Sequence, residues 1–162
     1  MTAPAPLRKA LRPDDVEVFA ETIGHFFERI TGEKALVRTA YLLEAGMPLP
    51  LDDFNGLIQV QGDYQGSVCF AAPRGLLDHV LMRMGQHEYS DADHLDVVGE
   101  IANTLAGRAR RVFGEGLEIT PPQTFTRAGK PPPSAASSPP LVIPFTWQSY
   151  TAVLIVHLDA LV

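Results

Sequence analysis

Two polar residues of the sequence, Glu100 and Asn103, have side chains and spacing that suit recognition chemistry. A carboxylate accepts hydrogen bonds or pairs with a cation, and a carboxamide both donates and accepts without ionising. Residues three apart are neighbours on a helix surface, so the two groups lie side by side if this segment is helical. No nucleophile with an adjacent base accompanies them, which favours a partner surface over covalent catalysis.

The segment from Asp91 to Phe113 has the pattern of a helix with two distinct faces. Ser90 with Asp93 forms a start similar to a capping box, and Gly114 and Gly116 end the helix. A turn of 100° per residue places the apolar stripe on one side, namely Val98, Ile101, Ala102, Leu105, Ala109 and Val112. The opposite, exposed side then carries Asp96, Glu100, Asn103, Gly107 and Arg111.

The exposed side has an unusual composition for a helix. Asn103 and Gly107 are poor helix residues, and an interior Gly costs roughly 0.5 to 1 kcal/mol relative to Ala. Gly107 lies one turn beyond Asn103 and would let a partner backbone approach closely. The alternative is that Asn103 and Gly107 are tolerated defects of a stable helix, and Glu-x-x-Asn is a short pattern that chance supplies often.

The remaining residues indicate no other catalytic or metal site. The single Cys69 cannot form an internal disulfide and lies in an apolar run, which predicts a buried structural thiol. There is no Gly-rich phosphate loop and no nucleotide fingerprint, so we expect no intrinsic cofactor and no metal. The histidines show no metal-binding spacing and are interpreted as surface or packing residues, namely His25, His79, His87, His94 and His157.

Composition limits the partners that the chain can have. A net charge of −6 over 162 residues counts against a nucleic-acid or anionic-membrane surface. The densest basic cluster, Arg108, Arg110 and Arg111, is interpreted as complementing the negative end of the helix. The N-terminus lacks the apolar stretch of a secretory signal, and His157 and Asp159 interrupt the longest late apolar run. We therefore expect a cytoplasmic protein that binds neither nucleic acid nor membrane.

The sequence predicts an α+β fold in the order α-β-β-β-α-α-β-β-β, with helices packed on an antiparallel sheet. Asp14 is predicted to cap a first helix that reaches about Thr31, and strands are predicted from Ala35 to Leu43 and from Leu57 to Phe70. A short helix follows Pro73 and ends at Gly85.

The rest of the chain, residues 117–162, is predicted to form three strands, with a bend at Pro121 and Pro122. Residues 1–13 are predicted to be an N-terminal extension and residues 14–162 a single domain. The Pro- and Ser-rich stretch at 129–140 is predicted to be a flexible loop within it.

The segment GEIANTLAGRARRVFGEGLEITPP resembles the signature segment of the CheX and CheC chemotaxis phosphatases. Asp96, Glu100, Asn103 and Pro121 fill the positions of its Asp/Ser-x-x-x-Glu-x-x-Asn motif and of the later Pro. The similarity extends to GDYQGSVCF and PRGLLDHVLMRMG and covers most of the chain from about residue 15. Two-site CheC members carry a second Glu-x-x-Asn in the first helix, whereas Gly24 replaces that Asn here, which favours a CheX-like protein with one site.

The resemblance implies a phosphatase that hydrolyses the aspartyl phosphate of a CheY-like response-regulator receiver, in chemotaxis or related two-component signalling. Asn103 would hold the attacking water, Glu100 would pair with the receiver's lysine, and Asp96 and Gly107 would contact the partner. Mg²⁺ would be carried by the receiver. The resemblance also implies a homodimer joined through sheet edges. The alternative is a non-catalytic module of the same fold that binds a receiver or a flagellar-switch component.

Overall fold

A computed structural model describes residues 8–10, 13–114 and 116–161 of the chain. Within these ranges, three helices and nine strands follow one another along the sequence. In chain order they are β1 (Arg8–Ala10), α1 (Pro13–Thr31), β2 (Leu36–Val37), β3 (Tyr41–Leu42), β4 (Phe54–Gly62), β5 (Tyr64–Ala72), α2 (Arg74–Arg83), α3 (Asp91–Phe113), β6 (Leu117–Ile119), β7 (Gln123–Thr126), β8 (Leu141–Trp147) and β9 (Tyr150–Leu161).

The strands form one antiparallel sheet in the order β2-β8-β9-β5-β4-β6. β1 pairs with the end of β9, β3 pairs with β8, and β7 pairs with β4 beside β6. The central strands β4, β5 and β9 are the long ones, and they carry runs of buried apolar residues. The long strands thus form the middle of the sheet, and short strands lie at both edges.

The main core lies between the three helices and one face of the sheet. α1 contributes Phe19, Ile23, Phe26 and Phe27, which recur at helical spacing and are buried. Phe27 packs against Phe145 and Trp147 of β8, with ring centroids 5.4 and 5.6 Å apart. These aromatic contacts join the first helix to a strand more than a hundred residues later, so residues that are distant in sequence share one core.

The other face of the sheet carries a smaller buried cluster of Leu57, Cys69 and Ile155. Leu49 and Leu51, from the segment between β3 and β4, pack over it. Burial raises the pKa of the Cys69 thiol to about 12, so it is protonated near neutral pH. The prediction that Cys69 is a structural thiol is therefore confirmed.

Two glycines let α3 approach the sheet closely. A Cβ added at Gly56 of β4 would lie 2.7 Å from the carbonyl oxygen of Val98. A Cβ added at Gly99 would lie 2.9 Å from Cγ2 of Thr124 on β7. Neither position has room for a side chain, so α3 is fixed in depth against β4 and β7, and its outward face is held rigidly.

The α+β class and the packing of helices on an antiparallel sheet are confirmed, and the order of the three helices is as predicted. Some bounds differ. The predicted strand from Ala35 to Leu43 consists of the two short strands β2 and β3, both paired with β8. The last part has four strands rather than three because β6 and β7 pair with β4 on either side of Pro121 and Pro122.

The start of the chain also differs in detail from the sequence prediction. α1 begins at Pro13, so Asp14 lies inside the helix and does not precede it as a cap. Proline is well tolerated in a first helical turn because it has no N–H to leave unpaired. Part of the predicted extension 1–13 forms β1, which pairs with β9, while residues 1–7, 11 and 12 lie outside the described residues.

The Pro-rich segment at 129–140 is attached to β9 through Asp159. The backbone N–H groups of Ser137 and Ser138 donate to its carboxylate at 2.7 and 3.1 Å, and both hydroxyls also donate to it. His157 adds a contact from Nε2 to the carbonyl oxygen of Ser138 at 2.7 Å. The second half of the segment is thus tied to the sheet, and flexibility of its first half stays a prediction.

Candidate functional site

The N-terminus of α3 is fixed by a reciprocal cap. The hydroxyl of Ser90 accepts a hydrogen bond from the backbone N–H of Asp93, and the carboxylate of Asp93 accepts one from the backbone N–H of Ser90. The hydrogen bond from the side chain of Ser90 is the main cause that lowers the pKa of Asp93. The predicted capping box, with Asp in place of Glu or Gln, is confirmed.

The two faces of α3 are arranged as the sequence predicts. The apolar stripe is buried, namely Val98, Ile101, Ala102, Leu105 and Ala109, while the side chain of Val112 lies outside the described residues. On the opposite face Asp96, Glu100 and Asn103 are exposed. The structure therefore brings the predicted pair Glu100 and Asn103 together on one outward surface, one helical turn apart.

Neither Glu100 nor Asn103 uses its side chain to stabilise the protein. In the part of the chain that the structure describes, neither side chain has a hydrogen-bond or ion-pair partner. The hydroxyl of Thr104 donates to the backbone carbonyl of Glu100 at 2.9 Å and leaves its carboxylate untouched. Both groups are therefore available to an external partner without the loss of an internal bond.

Gly107 continues the same surface and is half-buried. A Cβ added there would meet no atom within 4 Å, in contrast to Gly56 and Gly99. The protein's own packing thus does not require a glycine at this position. The exposed surface formed by Asp96, Glu100, Asn103 and Gly107 is called the α3 ridge below.

The two ends of the α3 ridge differ in charge. At its N-terminal end, Asp96 and Glu100 border a depression of about 120 Å³ that also receives Asp93. At its C-terminal end, Gly107 borders a depression of about 840 Å³ lined by arginines. Asn103, a neutral group, lies between the acidic end and the basic end.

His94 is a packing residue rather than part of the ridge. It is fully buried in the first turns of α3, and its ring stacks on Phe54 at 4.7 Å. Its Nε2 lies 2.5 Å from Oδ1 of Asp78, which joins α3 to α2. Its Nδ1 has no hydrogen-bond partner among the described residues. Sequence reasoning missed the pairing with Asp78, because sixteen residues and a loop separate the two and no local pattern signals it.

The first helix carries no second copy of the polar pair. Glu21 is exposed, but Gly24 occupies the place three residues later and offers no carboxamide. The described residues contain no group of three His, Cys, Asp or Glu side chains that could hold a metal ion. Across the same residues, no helix combines the length and apolar character needed to cross a membrane.

Solved structures with the same fold are numerous. A chemotaxis protein CheX from Vibrio vulnificus aligns with a TM-score of 0.77 at 19% identity, covering 90% of this chain and 99% of that one. The CheX-CheY-BeF3-Mg²⁺ complex from Borrelia burgdorferi gives 0.67 at 16% identity, covering 92% and 98%. A FliM-SpeE complex from H. pylori gives 0.60 at 11% identity, covering 94% and 90%. At such identities these likenesses show the fold alone.

A search of curated proteins by sequence finds no match. A family model does match: the one described as chemotaxis phosphatase CheX aligns with residues 54–146, more than half of the 162 residues. The matched segment contains β4, β5, α2, all of α3 and the whole α3 ridge. On this match, supported by the common fold, the chain belongs to the CheX family of chemotaxis phosphatases.

Proposed function

We propose that this protein hydrolyses the aspartyl phosphate of a CheY-like receiver domain, with Glu100 and Asn103 as the residues that act on the partner. The observation that carries the proposal is the exposed and internally unbonded pair on a rigidly held helix. Membership in the CheX family makes this pair the expected place for the activity.

The proposed chemistry needs a positioned water more than a reactive side chain. The water oxygen attacks phosphorus in line, the bond between phosphorus and the aspartyl oxygen breaks, and the receiver's carboxylate leaves as inorganic phosphate forms. The proton of the water passes to the phosphate. The carboxamide of Asn103 can accept from and donate to this water, which fixes its direction of attack without any change of charge.

The partner would supply the remaining charges. The Mg²⁺ and the lysine of a receiver domain neutralise the phosphoryl oxygens, and this chain would carry no cofactor of its own. Glu100 would pair with that lysine and set the docking angle, while Asp96 would contact the receiver nearby. The half-buried Gly107 would leave space for the receiver's backbone.

The Borrelia burgdorferi structure is a complex of CheX with CheY, beryllium fluoride and Mg²⁺. A protein of this fold therefore binds CheY in that assembly, and this supports a receiver as the partner of the present chain. Beryllium fluoride takes the place of a phosphoryl group, so the same reagent provides a stable probe for binding experiments.

A homodimer is proposed on the edge strands. Leu36 of β2 and Tyr41 and Leu42 of β3 expose 58, 46 and 62% of their surface at one edge of the sheet. Apolar side chains on an edge strand favour association with another chain, because both the backbone groups and the side chains lack partners there. We propose that a second copy covers this edge.

The competing proposal is a module of the same fold that binds a receiver or a flagellar-switch component without hydrolysis. Its support is the H. pylori FliM structure, which shares the fold at a lower TM-score.

Time courses of phosphate release separate the two proposals: the purified protein is mixed with each phosphorylated CheY-like receiver of the source organism. Faster release supports the phosphatase, and tight binding with an unchanged rate supports the module.

Asn103→Ala is expected to lower the rate of phosphate release by about a hundredfold or more, because positioning of the attacking group carries this mechanism. The melting temperature should stay nearly unchanged, since Asn103 is exposed and makes no internal hydrogen bond. Gln61→Ala, which removes an exposed carboxamide from β4, is the matched control and should keep the full rate. A normal rate in Asn103→Ala would contradict the proposed role.

A further inference from the structure

A group of arginines beside the α3 ridge is not used by the proposed mechanism. Arg29 of α1 and Arg108, Arg110 and Arg111 of α3 line a depression of about 840 Å³ that Gly107 also lines. This feature is called the arginine groove below. Because Gly107 belongs to both the groove and the ridge, the two surfaces are continuous.

The charge in the arginine groove is not balanced within the described residues. No Asp or Glu is among the residues that line it there. Other arginines are paired: Arg74 with Asp91 at 2.8 Å and Arg83 with Glu33 at 2.8 Å. None of the four groove arginines forms an ion pair with a described residue, although the chain as a whole carries a net charge of −6.

Helix ends explain part of this arrangement. Arg29 lies in the last turn of α1, and Arg110 and Arg111 lie in the last turn of α3, where a cation is favourable. Arg108 is outside the last turn, however, and two helix ends direct their arginines into one groove. Like charges brought together repel one another, so complementing the helix dipoles does not account for the cluster.

A second depression, which contains acidic residues, lies next to the arginine groove. Glu21 and Glu28 lie across Arg108 and Arg111 in a neighbouring depression of about 570 Å³ between α1 and α3. Glu28 is engaged by Lys34 at 3.6 Å. Of the four arginines, Arg108 and Arg111 line both depressions, whereas Arg29 and Arg110 line only the groove that contains Gly107.

We propose that the arginine groove binds acidic side chains of the receiver domain on which Asn103 acts. The inference rests on the proposed function and adds the recognition surface that selects the partner. Eight residues separate Asn103 from Arg111, about 12 Å along the helix, well inside the footprint of a protein of that size. Guanidinium groups are weakly hydrated and bind carboxylates in pairs of hydrogen bonds, which suits them to this role.

The test uses a variant that removes charge but spares structure. Arg29→Gln, Arg108→Gln and Arg111→Gln are combined, and Arg110 is kept because its Nε donates to the carbonyl of Leu117 at 2.9 Å. The control combines Arg38→Gln and Lys130→Gln, which removes exposed cations from loops outside the groove. Arg111→Glu alone is the second variant, in case the triple variant does not show the wild-type circular dichroism and melting.

The probes are the CheY-like receivers of the source organism loaded with beryllium fluoride and Mg²⁺. Dissociation constants are measured at about 50 and 300 mM salt, over which Coulomb attraction is progressively screened. The triple variant should bind about tenfold more weakly at the lower salt and lose most of the salt dependence. The control should match the wild type at both salt concentrations.

The outcomes separate this inference from the phosphatase proposal. If phosphate release depends on Asn103 while the groove variants bind as the wild type does, the groove proposal is wrong and the phosphatase stands. If the groove variants lose affinity while Asn103→Ala releases phosphate normally, the groove proposal stands and the role proposed for Asn103 is wrong. Absence of binding to every receiver overturns both. Loss of affinity for a fluorescent RNA oligonucleotide, with receiver binding unchanged, also overturns the groove proposal.

Discussion

At the scale of single residues, the α3 ridge makes no internal use of the side chains of Glu100 and Asn103. Some other carboxylates are engaged: Asp91 pairs with Arg74, and the half-buried Asp52 pairs with Arg127 at 3.1 Å. Glu100 and Asn103 have no such partner among the described residues. Their role is therefore tested by changes that alter chemistry while leaving stability alone.

Glu100→Gln removes a charge and keeps the shape of the side chain. If Glu100 docks on the receiver's lysine, the variant should bind a beryllium fluoride-loaded receiver several-fold more weakly at low salt, with a smaller loss at high salt. Surface plasmon resonance at two ionic strengths measures this. Unchanged affinity together with a collapsed single-turnover rate would instead identify Glu100 as a proton-transfer group.

Substitutions of Gly107 test whether added side-chain volume, rather than a change of charge, prevents the partner from binding. Gly107→Ala should be neutral or stabilise the protein by up to about 1 kcal/mol, because an added Cβ meets open space and Ala favours a helix. Gly107→Trp should fold normally but lower phosphate release at least tenfold, since the ring occupies the partner's space. Melting curves and release rates measure the two effects. A fully active Gly107→Trp would show that the receiver does not cover this position.

At the scale of elements, α3 is the part that the sequence predicts best. Its cap, its two faces and its end follow from Ser90, Asp93, the apolar stripe and Gly114, all of which act locally. The short strands β1, β2 and β3 were not predicted as they occur, because strands of two or three residues exist only through pairing with distant β8 and β9. The anchoring of the Pro-rich segment by Asp159 was missed for the same reason.

The attachment of that segment predicts a dependence on pH. Burial acts to raise the pKa of Asp159, but hydrogen bonds from Ser137 and Ser138 outweigh it and lower the pKa to about 2. The stabilisation is therefore complete above pH 4 and is lost as the pH falls toward 2. Allowing for screening by solvent, it amounts to about 1–2 kcal/mol.

Asp159→Asn measures this contribution. Urea unfolding at pH 7 should show the wild type more stable than the variant by that amount. The difference should shrink at about pH 2.5, where Asp159 is protonated in the unfolded chain and begins to be protonated in the folded protein. Hydrogen bonds to Asn replace only part of those to a carboxylate. A difference that is the same at both pH values would mean that charge on Asp159 does not hold the segment.

At the scale of the whole molecule, the fold places the two proposed contact surfaces on different parts of the sheet. The helices cover one face and present the α3 ridge outward, while β2 and β3 leave apolar side chains at one edge. A second copy at this edge would leave α3 uncovered, because α3 packs over β4, β5, β6 and β7. Association and partner binding can then occur together.

Light scattering at micromolar concentration should give about twice the monomer mass of 17.6 kDa. Leu42→Glu should shift the protein to the monomer, since Leu42 is exposed at the edge and a charge there opposes pairing of strands. Met82→Glu, at an exposed apolar residue of α2, is the matched control and should stay dimeric. A wild-type mass of 17.6 kDa would remove the dimer from the proposal.

The difference in charge between the two ends of the α3 ridge has a consequence for direction. A receiver that brought its phosphoryl group to Asn103 could in principle lie along the helix in two orientations related by half a turn. With Asp96 and Glu100 at one end and the arginine groove at the other, one orientation pairs opposite charges and the reversed one opposes like charges. If the receiver binds as proposed, we therefore expect it to lie along α3 in one orientation only.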